Sequence, residues 1–122
     1  MARILVVDDS GYARRLLRRA LEQQGHEVTE AASGLAGLES YAVTLPDVVM
    51  LDLTMEDLGG LEVLERIREI NPDARVIVVS ADIQRSTVKL VAQAGAFRFL
   101  AKPADPDELA DAVNAALAEV ER

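Results

Sequence analysis

Residues 47–52 read Asp47-Val48-Val49-Met50-Leu51-Asp52, an unbroken apolar run closed at each end by a carboxylate. A strand with one wet face alternates apolar and polar residues. A continuous run belongs to a strand covered on both faces, the usual state of a parallel strand. Arg3-Ile4-Leu5-Val6-Val7, ending in Asp8-Asp9, and Arg75-Val76-Ile77-Val78-Val79, ending in Ser80, have the same character. Residues 96–101 form a fifth strand that ends at Lys102-Pro103, and Glu27 to Ala31 is a weaker second one.

Helical periods separate these runs. Ala13, Leu16, Leu17, Ala20 and Leu21 mark a stripe from Gly11 to Gln24, which Gly25 stops. Leu35, Leu38, Glu39 and Ala42 suggest a short second helix. Leu61, Leu64 and Ile67 set the period of a third after Gly59-Gly60; Asn71-Pro72 ends it, because proline pushes the preceding residue out of helical geometry. Thr87, Val91 and Ala94 mark a fourth, with Gly95 as its C-terminal stop. In the fifth, Asp105 caps, Pro106 suits the first turn and Glu108 completes a capping-box-like pair, ahead of a stripe of Leu109, Val113, Ala116, Leu117 and Val120. Five strands alternating with five helices predict an α/β fold: a five-stranded, mostly parallel sheet, doubly wound, with right-handed crossovers. Strand order itself is not legible.

A chain of 122 residues fits one domain over 1–122, large enough to bury a core without disulfides. Only 3% of residues are aromatic against 50% hydrophobic, so the core must be aliphatic. The formal charge of −8 argues against direct nucleic-acid or membrane-surface binding. With no cysteine there is no thiol chemistry. The N-terminal run has neither a signal-peptide layout nor a transmembrane length, so a cytoplasmic location is expected.

The functional information is positional. Asp8-Asp9, Asp52, Ser80 and Lys102 all fall at the carboxyl ends of apolar strands, and ligands of open α/β sheets bind at that edge. Three carboxylates brought close together repel unless a cation intervenes. Mg²⁺ is a natural choice, since it accepts one or two carboxylates, waters and phosphate oxygens. Lys102 offers a fixed positive charge for a phosphate, Ser80 a neutral donor, and a carboxylate can itself attack a phosphoryl group. Singly, each residue also has a structural reading. Asp8, Asp9 and Ser80 read as helix caps, Asp52 as a solvated loop acid, and Lys102 as a surface lysine. Yet only Lys89 and Lys102 are lysines beside eleven arginines, and the joint pattern is far more specific than any member.

These residues carry a resemblance. Val6-Val7-Asp8-Asp9-Ser10, Val49-Met50-Leu51-Asp52-Leu53-Thr54-Met55, Val78-Val79-Ser80-Ala81 and Gly95-Ala96-Phe97-Arg98-Phe99-Leu100-Ala101-Lys102-Pro103 match, in order and spacing, the receiver domains of bacterial two-component response regulators. Asp9-Ser10 followed by Arg14 is reminiscent of the chemotaxis type. The resemblance implies a flavodoxin-like sheet of order 2-1-3-4-5. It implies that Asp52 is the phospho-acceptor, receiving the group from a phosphohistidine on a sensor histidine kinase or phosphotransfer protein. Asp9, Asp52 and the carbonyl of Thr54 would bind Mg²⁺, with Asp8 acting through water. Lys102 would contact the phosphoryl group, Ser80 would swing toward it, and Phe99 would turn inward. Phe97 shares its parity, and only the resemblance favours Phe99. The surface of the fourth helix, fifth strand and fifth helix would then recruit an output protein or effector domain; reversing a 1:99 equilibrium takes about 5.5 kcal/mol.

Several features depart from the family pattern or stand outside it. Glu56 occupies the usual proline position and Gly59 a position that is often polar, so Glu56 and Asp57 add acid near the expected metal site in a looser loop. Altered Mg²⁺ affinity or phosphoryl lifetime is expected. Asp82 and Thr54 occupy positions that tune dephosphorylation in the family. On the first helix, Arg14/Arg18 and Arg15/Arg19 form two i,i+4 rows, read either as a solvated face or as a kinase-docking surface. His26 reads as a turn or surface residue. Three other functions compete. An aspartyl-nucleophile phosphohydrolase of the haloacid-dehalogenase type would need a second acid at Thr54. A phosphorylation-independent binding scaffold would not need the intact site. A nucleotide-binding Rossmann domain would need a Gly-rich loop after the first strand.

Overall fold

The structure, a computed structural model, describes residues 2–120, and side chains over 2–118. Five strands and five helices alternate: β1 Arg3–Val7, α1 Gly11–Gln23, β2 Glu27–Ala31, α2 Gly34–Thr44, β3 Val48–Leu51, α3 Gly60–Ile70, β4 Val76–Ser80, α4 Arg85–Gln93, β5 Arg98–Ala101 and α5 Pro106–Val120. All neighbouring strands are parallel, in the order β2-β1-β3-β4-β5. The expected doubly wound, flavodoxin-like sheet is therefore present. Among the described residues no helix is long and apolar enough to cross a membrane.

Alternate residues of the central strands feed two cores. Ile4, Val6, Val48, Met50, Ile77 and Val79 pack with Leu17 and Leu21 of α1 and Leu109, Ala112, Val113 and Ala116 of α5. Leu5, Val7, Val49, Leu51, Val76 and Val78 pack with Tyr41 of α2, Val63, Leu64 and Ile67 of α3 and Val91 of α4. Both faces of each central strand are thus covered, which is why their apolar runs are unbroken. The side chain of Val120, assigned to the α5 stripe, lies outside the described residues.

Three local readings need correction. The expected α2 stripe is out of phase: Leu35 and Ala42 are exposed, and the buried face is Gly34, Gly37 and Tyr41. A Cβ on Gly37 would stand 2.8 Å from Val7 Cγ1, so the helix backbone itself lies against β1. An apolar-period reading cannot register a buried glycine. In α1, Leu16 is exposed although it belongs to the predicted stripe. The fifth strand begins at Arg98 rather than Ala96, and this decides the two phenylalanines. Phe97 packs on the α1/α5 side, with the guanidiniums of Arg75 and Arg98 each 5.7 Å from its ring, whereas Phe99 packs on the α3/α4 side. Parity fails because Phe97 lies ahead of the strand's regular pleat. The expected helix stops do act: Gly25 and Gly95 have φ +89° and +101°, a region L-residues avoid.

Candidate functional site

In this topology β1 sends the chain to β2 on one side and receives β3 on the other. The crevice at the carboxyl ends of β1 and β3 is the switch point where doubly wound sheets bind ligands. Ladder hydrogen bonds run one residue past the strands and fix the site's backbone. Asp8 N–H donates to the Ala31 carbonyl at 3.1 Å, Asp52 N–H to Val7 at 3.0 Å, and Lys102 N–H to Ser80 at 2.9 Å.

Side chains then converge as the sequence suggests. Asp8, Asp9 and Asp52 each present a carboxylate oxygen, and these three atoms lie within 4.8 Å of one another. Asp8 and Asp52 are buried, at 1% and 6% exposure, while Asp9 is exposed. Lys102 Nζ donates to Asp8 Oδ2 at 2.8 Å and lies 3.3 Å from Asp52 Oδ1. Burial and the Asp8 charge raise the Asp52 pKa, although the lysine and the Thr54 N–H pull it back. Burial opposes the charge on Lys102, but the Asp8 hydrogen bond and the two carboxylate fields outweigh it and raise its pKa. The Lys102 ammonium against three carboxylates leaves a negative excess that a further cation would relieve without protonating an acid. The donors are all hard oxygens, as Mg²⁺ prefers.

The cap readings give way. Ser10 is the N-cap of α1, accepting from Ala13 N–H, and that frees Asp9. Asp8 Oδ1 accepts from Ser10 N–H at 2.9 Å while its other oxygen faces Lys102. Ser80 does not cap α4, whose N-cap is Gln84. Its buried Oγ instead accepts from Asp82 N–H at 3.1 Å. Asp82 in turn accepts from Gln84 N–H and the Thr87 hydroxyl, which organises the β4–α4 loop.

Two other expectations resolve differently from one another. The Arg14/Arg18 row is consumed within the fold. Arg14 Nη1 donates to the Asp8 carbonyl at 2.7 Å, and Arg14 and Arg18 both pair with Glu30 at 3.1 and 2.7 Å. These bonds, that from Arg18 foremost, hold the Glu30 pKa down. Arg15 and Arg19 remain exposed. The Asp57 carboxylate is engaged at the start of α2, where it accepts from Gly34 and Leu35 N–H, each at 3.0 Å, and these bonds hold its pKa down. The roles of Arg14 and Asp57 were missed by sequence reasoning, since their partners lie 16 and 23 residues away and no local spacing marks them. His26, half-buried, accepts from Ala2 N–H at 3.2 Å.

The comparisons with known proteins agree with this geometry. The family model of the response regulator receiver domain matches residues 4–114. The chain belongs to that family. This receiver domain is 39% identical over 116 residues to the chemotaxis protein CheY of Bacillus subtilis, covering 94% of this chain and 97% of that protein. It is 35% identical to the sporulation initiation phosphotransferase F of the same organism, covering 92% and 90%. A receiver domain protein from Clostridium thermocellum, known by crystal structure, superposes with a TM-score of 0.95 at 32% identity, covering 99% and 98%. The receiver domain is a phospho-acceptor signalling module. Neither a phosphohydrolase nor a phosphorylation-independent scaffold is favoured by these relatives.

Proposed function

We propose that Asp52 is the residue that accepts the phosphoryl group, and that residues 1–122 act as one receiver unit for this purpose. The carrying observation is the contact set of Asp52: a buried carboxylate with Lys102 at 3.3 Å and two further acids grouped around it. The donor is a phosphohistidine on a sensor histidine kinase or phosphotransfer protein. An Asp52 oxygen attacks phosphorus as the P–N bond breaks, and the leaving imidazole keeps the electron pair and takes a proton. Asp9, Asp52 and the Thr54 carbonyl would hold Mg²⁺, with Asp8 acting through water. When bound, the ion supplies positive charge to the oxygens of the transferring group.

The chain's own residues do the rest. Lys102 stands ready to leave its ion pairs for a phosphoryl oxygen. Ser80, the last residue of β4, would be the hydroxyl donor that follows it. Its departure from Asp82 N–H would loosen the β4–α4 loop and let half-buried Phe99 turn inward. The surface of α4, β5 and α5 would then meet an output protein or effector domain.

The test is intact mass after incubation with Mg²⁺ and acetyl phosphate, for wild type and Asp52→Asn. One phosphoryl group added to the wild type alone is expected. Uptake by the variant, or none by the wild type, refutes the assignment.

A further inference from the structure

The loop that follows Asp52 is tied both to itself and to a neighbouring helix. It closes on itself through Gly60 N–H to the Leu53 carbonyl at 3.0 Å. Met55 is buried in the α2/α3 core, and Leu58 packs partly against the same core. Thr54 lies two residues past Asp52, so the loop's first turn carries both the reacting carboxylate and the carbonyl expected at the metal. Three residues on, both carboxylate oxygens of Asp57 are taken by α2: Oδ1 by Gly34 N–H and Oδ2 by Leu35 N–H, each at 3.0 Å. The fit is close. A Cβ on Gly34 would stand 2.6 Å from the Leu58 carbonyl oxygen, so the loop rests on the first residue of the helix.

Two ordinary stiffeners are absent here. Glu56 leaves the loop without a proline's fixed φ. Gly59, the N-cap of α3, provides no side-chain hydrogen bond. We propose that Asp57 is a positioning residue for Asp52: by tying the β3–α3 loop to α2, it holds the Thr54 segment in place and sets the affinity of the acid cluster for Mg²⁺. This rests on the Mg²⁺ reading above. The simpler role is helix capping alone, since a carboxylate at a helix start satisfies free N–H groups and the local dipole. However, α2 already has its own cap, Ser33, whose Oγ accepts from Ala36 N–H at 3.1 Å. Ser33 and Asp57 therefore serve the same helix end, and only Asp57 is connected to the loop.

That difference supplies the test. Mg²⁺ is titrated calorimetrically into the full chain as wild type, Asp57→Ala, Asp57→Asn and Ser33→Ala, and urea midpoints are taken for each. Asp57→Ala is expected to bind Mg²⁺ about 10-fold more weakly, the usual scale for losing a residue that orients metal ligands. Asp57→Asn keeps an acceptor oxygen and should recover most of that loss. Ser33→Ala should lower the urea midpoint while binding Mg²⁺ as wild type does. If Asp57→Ala binds Mg²⁺ like wild type, or Ser33→Ala weakens binding equally, Asp57 is a helix cap and the proposal falls. If Asp57→Ala does not fold, Asp57→Ser, with one shorter acceptor, carries the same comparison. Wild type that binds no Mg²⁺ overturns the metal reading itself, an outcome distinct from the others.

Discussion

Lys102→Met removes the ammonium that faces Asp8 and Asp52 while keeping most of the aliphatic stem. At an effective dielectric of about 20, the 2.8 and 3.3 Å pairs carry gross attractions of about 6 and about 5 kcal/mol. Most of this is offset by the cost of desolvating the ammonium and the acids. Breaking a buried pair by removing one partner costs about 3–5 kcal/mol net. Lys102 keeps 25% of its side-chain surface in water, so screening places the expected loss at the lower end, about 3 kcal/mol. In metal-free buffer at about pH 7, urea unfolding should report that loss. Its pH dependence identifies the cause. A carboxyl whose folded pKa is raised, as that of Asp52 is, binds an extra proton in the folded state between its ordinary and raised values. Stability is therefore lost as pH rises through that window. Without Lys102 the window widens upward, so the deficit of the variant should be smaller in more acidic buffer. Millimolar Mg²⁺ should shrink it too, by restoring positive charge. A deficit equal at both pH values and indifferent to Mg²⁺ would mean that Lys102 acts by packing, and would refute the electrostatic account.

Three other outcomes are expected. Arg15→Glu with Arg19→Glu should slow phosphoryl transfer from the partner kinase but not from acetyl phosphate, since these two arginines are exposed; equal kinase rates would leave them a solvated face. Gly60→Ala should cost about 1–3 kcal/mol by overpacking and lower phosphoryl uptake, because its Cβ would meet the Asp52 carbonyl and, at 2.6 Å, Leu53 Cα; an unchanged urea midpoint would contradict this. Burial lowers the His26 pKa below its ordinary 6.5, so between those values the unfolded chain holds the extra proton and stability falls as pH falls. His26→Gln should flatten that slope in urea titrations, and identical slopes would dismiss the effect.

Much of the site was legible because parallel strands all point the same way. Their carboxyl ends share an edge, so a residue's place after an apolar run is also its place in space. Asp8, Asp9, Asp52 and Lys102 were found on that basis and lie together. What failed was whatever depends on contact without periodicity. Gly34 and Gly37 form the inner face of α2 because they lack side chains, while Leu35, which suggested the stripe, is exposed. Asp57 reads in the sequence only as an acid near the metal site, and its bonds to the α2 amides appear only in the fold.

The sequence by itself determined the alternation of strands and helices, the covering of the sheet on both faces, and the gathering of acids, hydroxyl and lysine at one rim. These follow from side-chain polarity read along the chain. Only the tertiary structure decided which of the four arginines on α1 are spent within the fold, which phenylalanine faces the α3/α4 side, and where the Asp57 carboxylate goes. Each of those turns on a partner distant in sequence or on a backbone approach of a few ångströms, and neither leaves a local pattern in the chain.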